Sequence, residues 1–355
     1  MSNNWKPTTW GEIATLEYGK GLLGYENANG DFPVYGTNGK IGWHTEPLFD
    51  NAGVIIGRKG AYRGVHYSKT PFFVIDTAFY LKPKTEIDLR WAYYQLLTQD
   101  INSMDSGSAI PSTSRPDFYA LPLLLPSLTE QHAIAGILGA LDDKIELNRR
   151  MNRTLESMAR AVFRQWFVEG EEVENWKVGK LGDVMTNFDS KRVPVANRER
   201  AQRQGKYPYY GAASVMDYVD DYLFDGIYVL MGEDGSVVDD EGHPVIQYVW
   251  GKIWVNNHAH VLQGANGICN EHLYLFLKDV NILPYITGAV QPKINQANMN
   301  SIPFPLPPME LRKKFEEFVS PLFAKIRAND EESRTLASLR DSLLPKLIRG
   351  EVRVK

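Results

Sequence analysis

The feature that most constrains this 355-residue chain is that it repeats itself. Phe32-Pro33-Val34-Tyr35-Gly36 is answered by Tyr207-Pro208-Tyr209-Tyr210-Gly211, Leu48-Phe49-Asp50 by Leu223-Phe224-Asp225, and Ile55-Ile56-Gly57 by Leu230-Met231-Gly232, each 175 residues later. Further along the spacing grows to 181: Gly107 and Pro111 meet Gly288 and Pro292, and Pro122 and Pro126 meet Pro303 and Pro307. At the same spacing Lys144-Ile145 meets Lys325-Ile326, and Arg153-Thr154-Leu155 meets Arg334-Thr335-Leu336. One such match is chance; an ordered series at nearly constant spacing is a tandem duplication that absorbed a short loop insertion.

Each copy has two parts. Residues 1–126 and 171–307 are rich in Gly, Pro, Tyr and Asn and carry short apolar runs such as Gly53-Val54-Ile55-Ile56 and Lys252-Ile253-Trp254-Val255, the pattern of many short strands joined by tight turns. Short helices are predicted around 89–99 and 271–277. Residues 127–170 and 308–355 have helical periodicity instead. The apolar stripe Ile134, Ile137, Leu138, Leu141, Ile145, Met151, Leu155, Met158, Val162, Phe163, Trp166 recurs 181 residues on as Phe315, Phe318, Val319, Leu322, Ile326, Leu336, Leu339, Leu343, Leu344, Leu347. Forty residues at a rise of roughly 1.5 Å make rods near 60 Å long. A long helix with one apolar seam needs a partner, and the nearest is the other copy. Asn148 and Asn329 interrupt the two stripes at equivalent places. In an antiparallel pair they meet and fix the register, at some cost in stability; the alternative is that both face solvent. The expected fold class is α+β: two similar mixed α/β domains separated by two long helices packed as an antiparallel coiled coil, with pseudo-twofold character from the duplication.

Several chemistries are excluded by motif. The single cysteine, Cys269, rules out a disulfide framework and a cysteine-based zinc site. The Gly-Lys pairs at 19, 39, 179, 205 and 251 lack the following Ser or Thr of a phosphate-binding loop. No methyltransferase-like Asn-Pro-Pro-Tyr and no Gly-x-Ser-x-Gly elbow occurs. His258 and His260, alternating on a strand, could meet His272 as metal ligands, but no carboxylate stands at motif spacing, and ordinary strand histidines are the simpler reading. Asp142-Asp143 and Asp239-Asp240 read as helix-surface and turn residues. No intrinsic enzymatic activity, cofactor or metal is expected. No apolar run has membrane-spanning length and the start lacks the form of a signal peptide, so the default compartment is the cytoplasm.

Two similar globules on paired rods suit a ligand with two readable sites at a fixed separation, and duplex DNA is the commonest such ligand. In the first globule Arg58, Lys59, Tyr62 and Arg63 place three cations and an aromatic in one glycine-bounded loop. In the second, Asn187, Ser190, Lys191 and Arg192 form a polar, basic loop, with Asn256, Asn257 and His258 suited to purine edges. The bland alternative for each is a solvated surface loop.

The stretch from Gly107 through Ile110-Pro111-Ser112-Thr113-Ser114-Arg115-Pro116 to Pro126, leading into Thr129-Glu130-Gln131, resembles the specificity subunit of Type I restriction–modification systems. So do Gly288 to Gln296, the run Ile302-Pro303-Phe304-Pro305-Leu306-Pro307-Pro308, and the ending Leu343-Leu344-Pro345-Lys346-Leu347-Ile348-Arg349-Gly350-Glu351. The resemblance covers essentially the whole chain, with one departure, Met309-Glu310-Leu311-Arg312, where the first copy has Thr-Glu-Gln. It implies target-recognition domains at 1–126 and 171–307 and helical spacers at 127–170 and 308–355. It implies a subunit that neither cleaves nor methylates, reads one half of a split double-stranded DNA target with each domain, and sets the gap with its helices. The implied partners are two methyltransferase subunits, which bind S-adenosylmethionine, and motor–nuclease subunits; Arg149, Arg150 and Arg153 are candidates for docking the methyltransferases.

Charge resists the DNA reading. The chain carries a net −4, distributed as −1 over residues 1–126, 0 over 127–170, −6 over 171–307 and +3 over 308–355. A lone DNA binder neutralises several phosphates. Either local basic loops are outweighed by acids elsewhere, or the partners supply most phosphate contacts. A non-DNA protein-interaction scaffold would share the same duplication and is the rival class.

Overall fold

A computed structural model describes residues 5–25, 29–104, 110–288 and 291–354. The repeat-motif residue Gly107 and the motif positions 108, 109, 289 and 290 lie outside the described residues. The chain divides into two compact units, Met1–Leu147 with Glu332–Lys355, and Asn148–Glu331. The division follows contacts, not the composition boundaries: each unit takes one globule together with half of each long helix.

In the first unit the order is β1 (Lys6–Thr9), α1 (Trp10–Ile13), β2 (Ala14–Tyr18), β3 (Phe32–Gly36), β4 (Gly39–His44), β5 (Gly53–Gly57), β6 (Val65–Ser68), β7 (Phe73–Val74) and β8 (Ala78–Pro83). There follow α2 (Leu89–Leu97), α3 (Arg115–Ala120), β9 (Pro122–Leu125) and the start of α4 (Leu128–Phe167). The strands form a four-stranded sheet β2-β8-β5-β6, a three-stranded sheet β4-β3-β7 and the pair β1-β9. β5 is buried at every position, as expected of an apolar run covered on both faces. The core gathers Trp10, Trp91, Tyr94, Phe79 and Phe118 with Ile134 and Leu138 of α4 and with Leu347 and Ile348. α2 starts on Asp88, whose side chain accepts from the amides of Arg90 and Trp91, both at 2.8 Å. α4 starts on a reciprocal capping box: the Ser127 hydroxyl accepts the Glu130 amide at 3.3 Å while the Glu130 carboxylate accepts from Ser127.

The second unit runs β10 (Lys177–Lys180), β11 (Met185–Asn187), α5 (Asn197–Arg200), β12 (Gln204–Tyr210), β13 (Val215–Val219), β14 (Phe224–Gly232), β15 (Ile246–Val255), β16 (Ala259–Gly264), α6 (Asn270–Asp279), α7 (Gln296–Asn300), β17 (Pro303–Leu306) and α8 (Met309–Ile348). Here the ten-residue β15 pairs antiparallel with β14 and, at its end, parallel with β12, so one six-stranded sheet, β11-β16-β14-β15-β12-β13, does the work of two in the first unit. The duplication is visible in the registers. Val34 faces Phe73 in parallel pairing, as Tyr209 faces Trp254; Ile55 faces His66, as Leu230 faces Gln247. The spacing steps from 175 to 181 between β5 and β6, so the insertion lies in the loop 58–64, whose counterpart is 233–245.

α4 and α8 each have 40 residues and start 181 residues apart, despite the departure at Met309. Lacking the capping box, α8 begins on Pro308, with Arg312 Nε donating to the Pro307 carbonyl at 2.7 Å. In each unit the helix halves run antiparallel. In the first, Arg340 pairs with Asp142 at 2.6 Å and Lys144 with Glu332 at 2.9 Å. In the second, Phe163 and Phe315 rings meet at 6.0 Å and Asn148 lies beside Asn329. Both asparagines are buried: Asn148 Nδ2 donates to the Asn329 carbonyl at 3.3 Å, and Asn329 Nδ2 to Asn152 Oδ1 at 2.8 Å. The seam is narrower than the periodicity suggests, for Ile137, Met158 and Leu339 are exposed at its edges. Asp142 and Asp143 are not idle surface groups. The Tyr94 hydroxyl donates to Asp142 at 2.5 Å, and Asp143 takes Arg90 at 2.6 Å and Lys69, ties between globule and helix. The Arg90 guanidinium beside it holds the Asp143 carboxyl at about 2.

Candidate nucleic-acid interface

In the first unit the loop after β5 and the segment before α3 are laced together. Thr113 N donates to the Arg58 carbonyl at 2.9 Å, Gly60 N to the Pro111 carbonyl at 2.9 Å, and Lys59 bridges to Ser112. Gly60 sits at φ +123, a conformation that side-chain-bearing residues avoid, and its counterpart Gly235 also has positive φ, at +75. The turn is conserved between copies while its chemistry is not: Arg58-Lys59-Gly60 becomes Glu233-Asp234-Gly235.

The lacing builds an open cleft of about 590 Å³ between the end of β2, the β5 loop, β8 and α3. Tyr18, half exposed, lies at its centre. The Arg58 guanidinium carbon is 4.8 Å from the Tyr18 ring centre and that of Arg115 is 5.2 Å from it, so two cations share one aromatic ring. Arg58 Nη1 is steered by the Asp76 carbonyl at 2.9 Å. Arg115 is steered by the Tyr119 hydroxyl, 3.2 Å from Nε and 3.0 Å from Nη2, and that hydroxyl also accepts the Leu16 amide at 3.0 Å. Among the described residues neither arginine is paired with a carboxylate. Two guanidinium groups held by neutral acceptors keep their charge for an external anion or a base edge.

The other residues expected from the loop divide. Lys59 and Tyr62 are exposed, the latter at 69%. Arg63 is a correction: it is 2% exposed, and its Nη2 donates to the carbonyls of Ile101, Asn102 and Met104 at 3.2, 2.7 and 2.8 Å. Through Nη2 it holds a turn together from inside, while Nε and Nη1 are buried with no hydrogen-bond partner among the described residues.

At the equivalent place in the second unit, Asp189 stands for Tyr18, Glu233 for Arg58, His260 for Phe79 and Gln296 for Arg115. These form a closed ionic cluster. Asp189 takes His260 Nδ1 at 2.5 Å, the Val261 amide at 2.9 Å and Gln296 Nε2 at 2.8 Å. Burial alone would raise the Asp189 carboxyl, but His260 and the other donors hold it at about 2. Arg192 Nη1 lies 2.7 Å from Glu233, and Nη2 3.4 Å from Asp189. Arg192 is therefore a second correction, a largely buried counter-ion with no free charge. Asp189, Glu233 and His260 come within 4.8 Å of one another, a spacing that could hold a metal ion, but Arg192 already supplies their cation. His258 pairs with Asp234 and His272 lies in an aromatic core, so the three histidines do not share one site.

Asn256 is a third correction. It is 3% exposed, accepts the His258 amide at 2.8 Å and shapes the turn. Asn257 and Lys191 are exposed, Lys191 with its ammonium 5.1 Å from the Phe188 ring centre. The sequence reading missed Tyr18 and Arg115, which carry no loop signature by themselves. It also missed a cation–aromatic surface on the second unit, where Lys206 lies 5.2 Å from the Tyr207 ring centre and Lys252 4.6 Å from that of Tyr222. The tyrosine rings are 5.2 Å apart. Such surfaces suit phosphates and stacked bases.

A mixed α/β domain built twice, each copy followed by a 40-residue helix and each presenting cations on aromatic rings, defines a duplicated recognition module. The chain belongs to the family of the Type I restriction modification DNA specificity domain, whose model matches residues 2–157 and again 173–336. It is similar to a putative type I restriction enzyme specificity subunit from Haemophilus influenzae, at 36% identity over 46% of this chain and 40% of that one, so this match spans under half of the relative. It is also similar to the type I restriction enzyme MjaIX specificity subunit from Methanocaldococcus jannaschii, at 24% identity over 87% of this chain and 79% of that one. In fold it matches the crystal structure of a Type I restriction–modification S subunit from M. genitalium, with a TM-score of 0.67 and 21% identity over 98% and 97% of the two chains. No helix among the described residues is long and apolar enough to cross a membrane.

Proposed function

We propose that this chain is the DNA-reading subunit of a Type I restriction–modification complex, that each globule reads one half of a split duplex target, and that the two halves differ in sequence. The observation that carries this is the pair of equivalent sites: one frame, with Tyr18, Arg58 and Arg115 in the first copy and Asp189, Glu233 and Gln296 in the second. A duplicated frame with inverted chemistry is what two different half-sites require, since discrimination lies in the side chains that meet base edges.

On this reading the chain neither methylates nor cleaves. Two methyltransferase subunits, holding S-adenosylmethionine, dock on it, motor–nuclease subunits complete the assembly, the long helices set the gap between half-sites, and the complex works in the cytoplasm. The acidic loop 233–245, with Glu233, Asp234, Asp239, Asp240 and Glu241, accounts for much of the second globule's negative charge and supports the view that the partners supply most phosphate contacts there.

The test is methylome sequencing of cells that co-express this chain with its methyltransferase. A methylated motif of two unlike blocks separated by a fixed gap is expected; absence of a split motif, with the complex assembled, would support a scaffold that binds no DNA.

A further inference from the structure

The second unit contains a cavity of about 280 Å³ where the C-terminal part of α4 meets β17, α6 and the segment before β10. Its walls are aromatic: Phe163, Phe167, Trp176, His272, Phe276 and Phe304. Ring centres lie 4.4 Å apart for Phe167 and His272 and 4.5 Å apart for Phe276 and Phe304.

Two polar atoms line it without an internal partner, and a buried imidazole lies beside them. Trp176 Nε1 and Asp279 Oδ2 are buried with no hydrogen-bond partner among the described residues, the other Asp279 oxygen being taken by Arg160 Nε at 3.1 Å. His272 is 2% exposed, and burial, with Arg312 nearby, pushes its imidazole down to about 3, so the ring is neutral at ordinary pH. The indole N–H groups of Trp10 and Trp91 are also buried without a partner, but neither lines an open space beside an unmatched carboxylate oxygen as Trp176 does.

The first unit has other side chains at two of the three equivalent positions. At the position of His272 the first unit has Trp91, fully buried in its main core. At the position of Trp176 it has Trp5, whose indole N–H donates to Glu130 Oε2 at 3.2 Å. At the position of Asp279 it has Thr98, bonded to the Gln95 carbonyl at 2.7 Å. Thus the first copy carries an indole where the second has a smaller ring, and the second introduces a carboxylate; the Trp91 indole N–H is itself buried with no hydrogen-bond partner among the described residues.

We propose that this cavity binds a small planar bicyclic heterocycle of purine size, independently of DNA reading. A cavity of about 150 Å³ holds a benzene ring, so this one has room for two fused rings stacked among the phenylalanines. A ring nitrogen would accept from Trp176 Nε1, and a ring or exocyclic N–H would donate to Asp279 Oδ2. A saturated apolar molecule would leave both groups stranded, and a monocycle would leave part of the space empty. Bound there, the ligand ties the α4 end to the globule of its own unit.

The probe is adenine, added to the full chain. Millimolar adenine is expected to raise the melting midpoint by about 2–4 °C and to shift the Trp176 indole N–H resonance. His272→Trp, which copies the first unit, is expected to abolish both effects, and Asp279→Asn to weaken binding at least tenfold. An unmoved Trp176 resonance in the unaltered chain at saturating adenine overturns the proposal without recourse to any variant. So does adenine stabilisation that survives in a folded His272→Trp protein, since the ligand would then sit elsewhere. Adenine failing while an aromatic peptide protects Trp176 would make the cavity an anchor for a protein side chain, and would likewise overturn it.

Discussion

At the residue scale the molecule turns on what each cation is tied to. Arg58 and Arg115 rest on Tyr18 and are steered by neutral oxygens, whereas Arg192 is paired with carboxylates and Arg63 is buried with Nη2 on backbone carbonyls. Arg58→Ala or Arg115→Ala is therefore expected to relax selection in one DNA half-site only, by about 1–3 kcal/mol of discrimination, read from the methylated motif of the variant complex. Equal relaxation in both halves would make them general backbone contacts. Arg63→Ala is expected to act through stability instead, lowering the melting midpoint without changing the motif. The cluster around Asp189 makes a pH prediction. Its carboxyl lies at about 2 in the fold, below the roughly 3.9 of an unfolded aspartate. A depressed carboxyl stabilises the fold above the unfolded value, and this support, about 2–3 kcal/mol, is lost as pH falls from about 4 through 2. Asp189→Asn should flatten that limb of the stability profile and lower stability at neutral pH, both measurable by denaturant unfolding across pH.

At the element scale we propose that a small polar network in an apolar seam sets the register of the two long helices. Asn148, Asn329 and Asn152 exchange hydrogen bonds at 2.8–3.3 Å, and Asn152 also reaches Asp330 at 2.8 Å. Asn329→Ala strands its partners and is expected to cost about 1–3 kcal/mol. Replacing Asn148 and Asn329 together by Leu should be neutral or stabilising yet allow shifted pairings, visible as extra cross-linked species between cysteines introduced along the helices. Cys269 does not interfere with such an experiment. It caps α6 through the His272 amide, and burial pushes its thiol up to about 12.

At the scale of the whole molecule the question is where DNA affinity comes from. The chain is net negative, and the second globule most so. The isolated subunit is expected to bind target DNA weakly, and adding the methyltransferase should raise affinity sharply at fixed salt. The salt dependence of the complex would then exceed that of the lone chain, because more phosphates are neutralised. Tight, sequence-selective binding by the chain alone would assign the phosphate contacts to its own basic loops. Adding one helical turn to each long helix is expected to lengthen the gap in the methylated motif while leaving both half-sites intact.

The amino-acid order alone determined the duplication, the strand-rich globules, the two seamed helices and the paired asparagines, because repeat spacing and apolar periodicity are local properties that survive in one dimension. A basic glycine-bounded loop such as that of Arg58 and Lys59 is legible in the same way, and its part in reading DNA is a proposal. Only the tertiary structure decided which charges are free. Arg63 and Arg192 look in sequence like Arg58, and what separates them is the set of carbonyls and carboxylates that folding brings within 3 Å or so. Tyr18 and Arg115, almost a hundred residues apart, become one site only when β2 and α3 are packed together. The exchange of Trp91 for His272 reads as one substitution among many until the fold places His272 in the wall of an aromatic cavity.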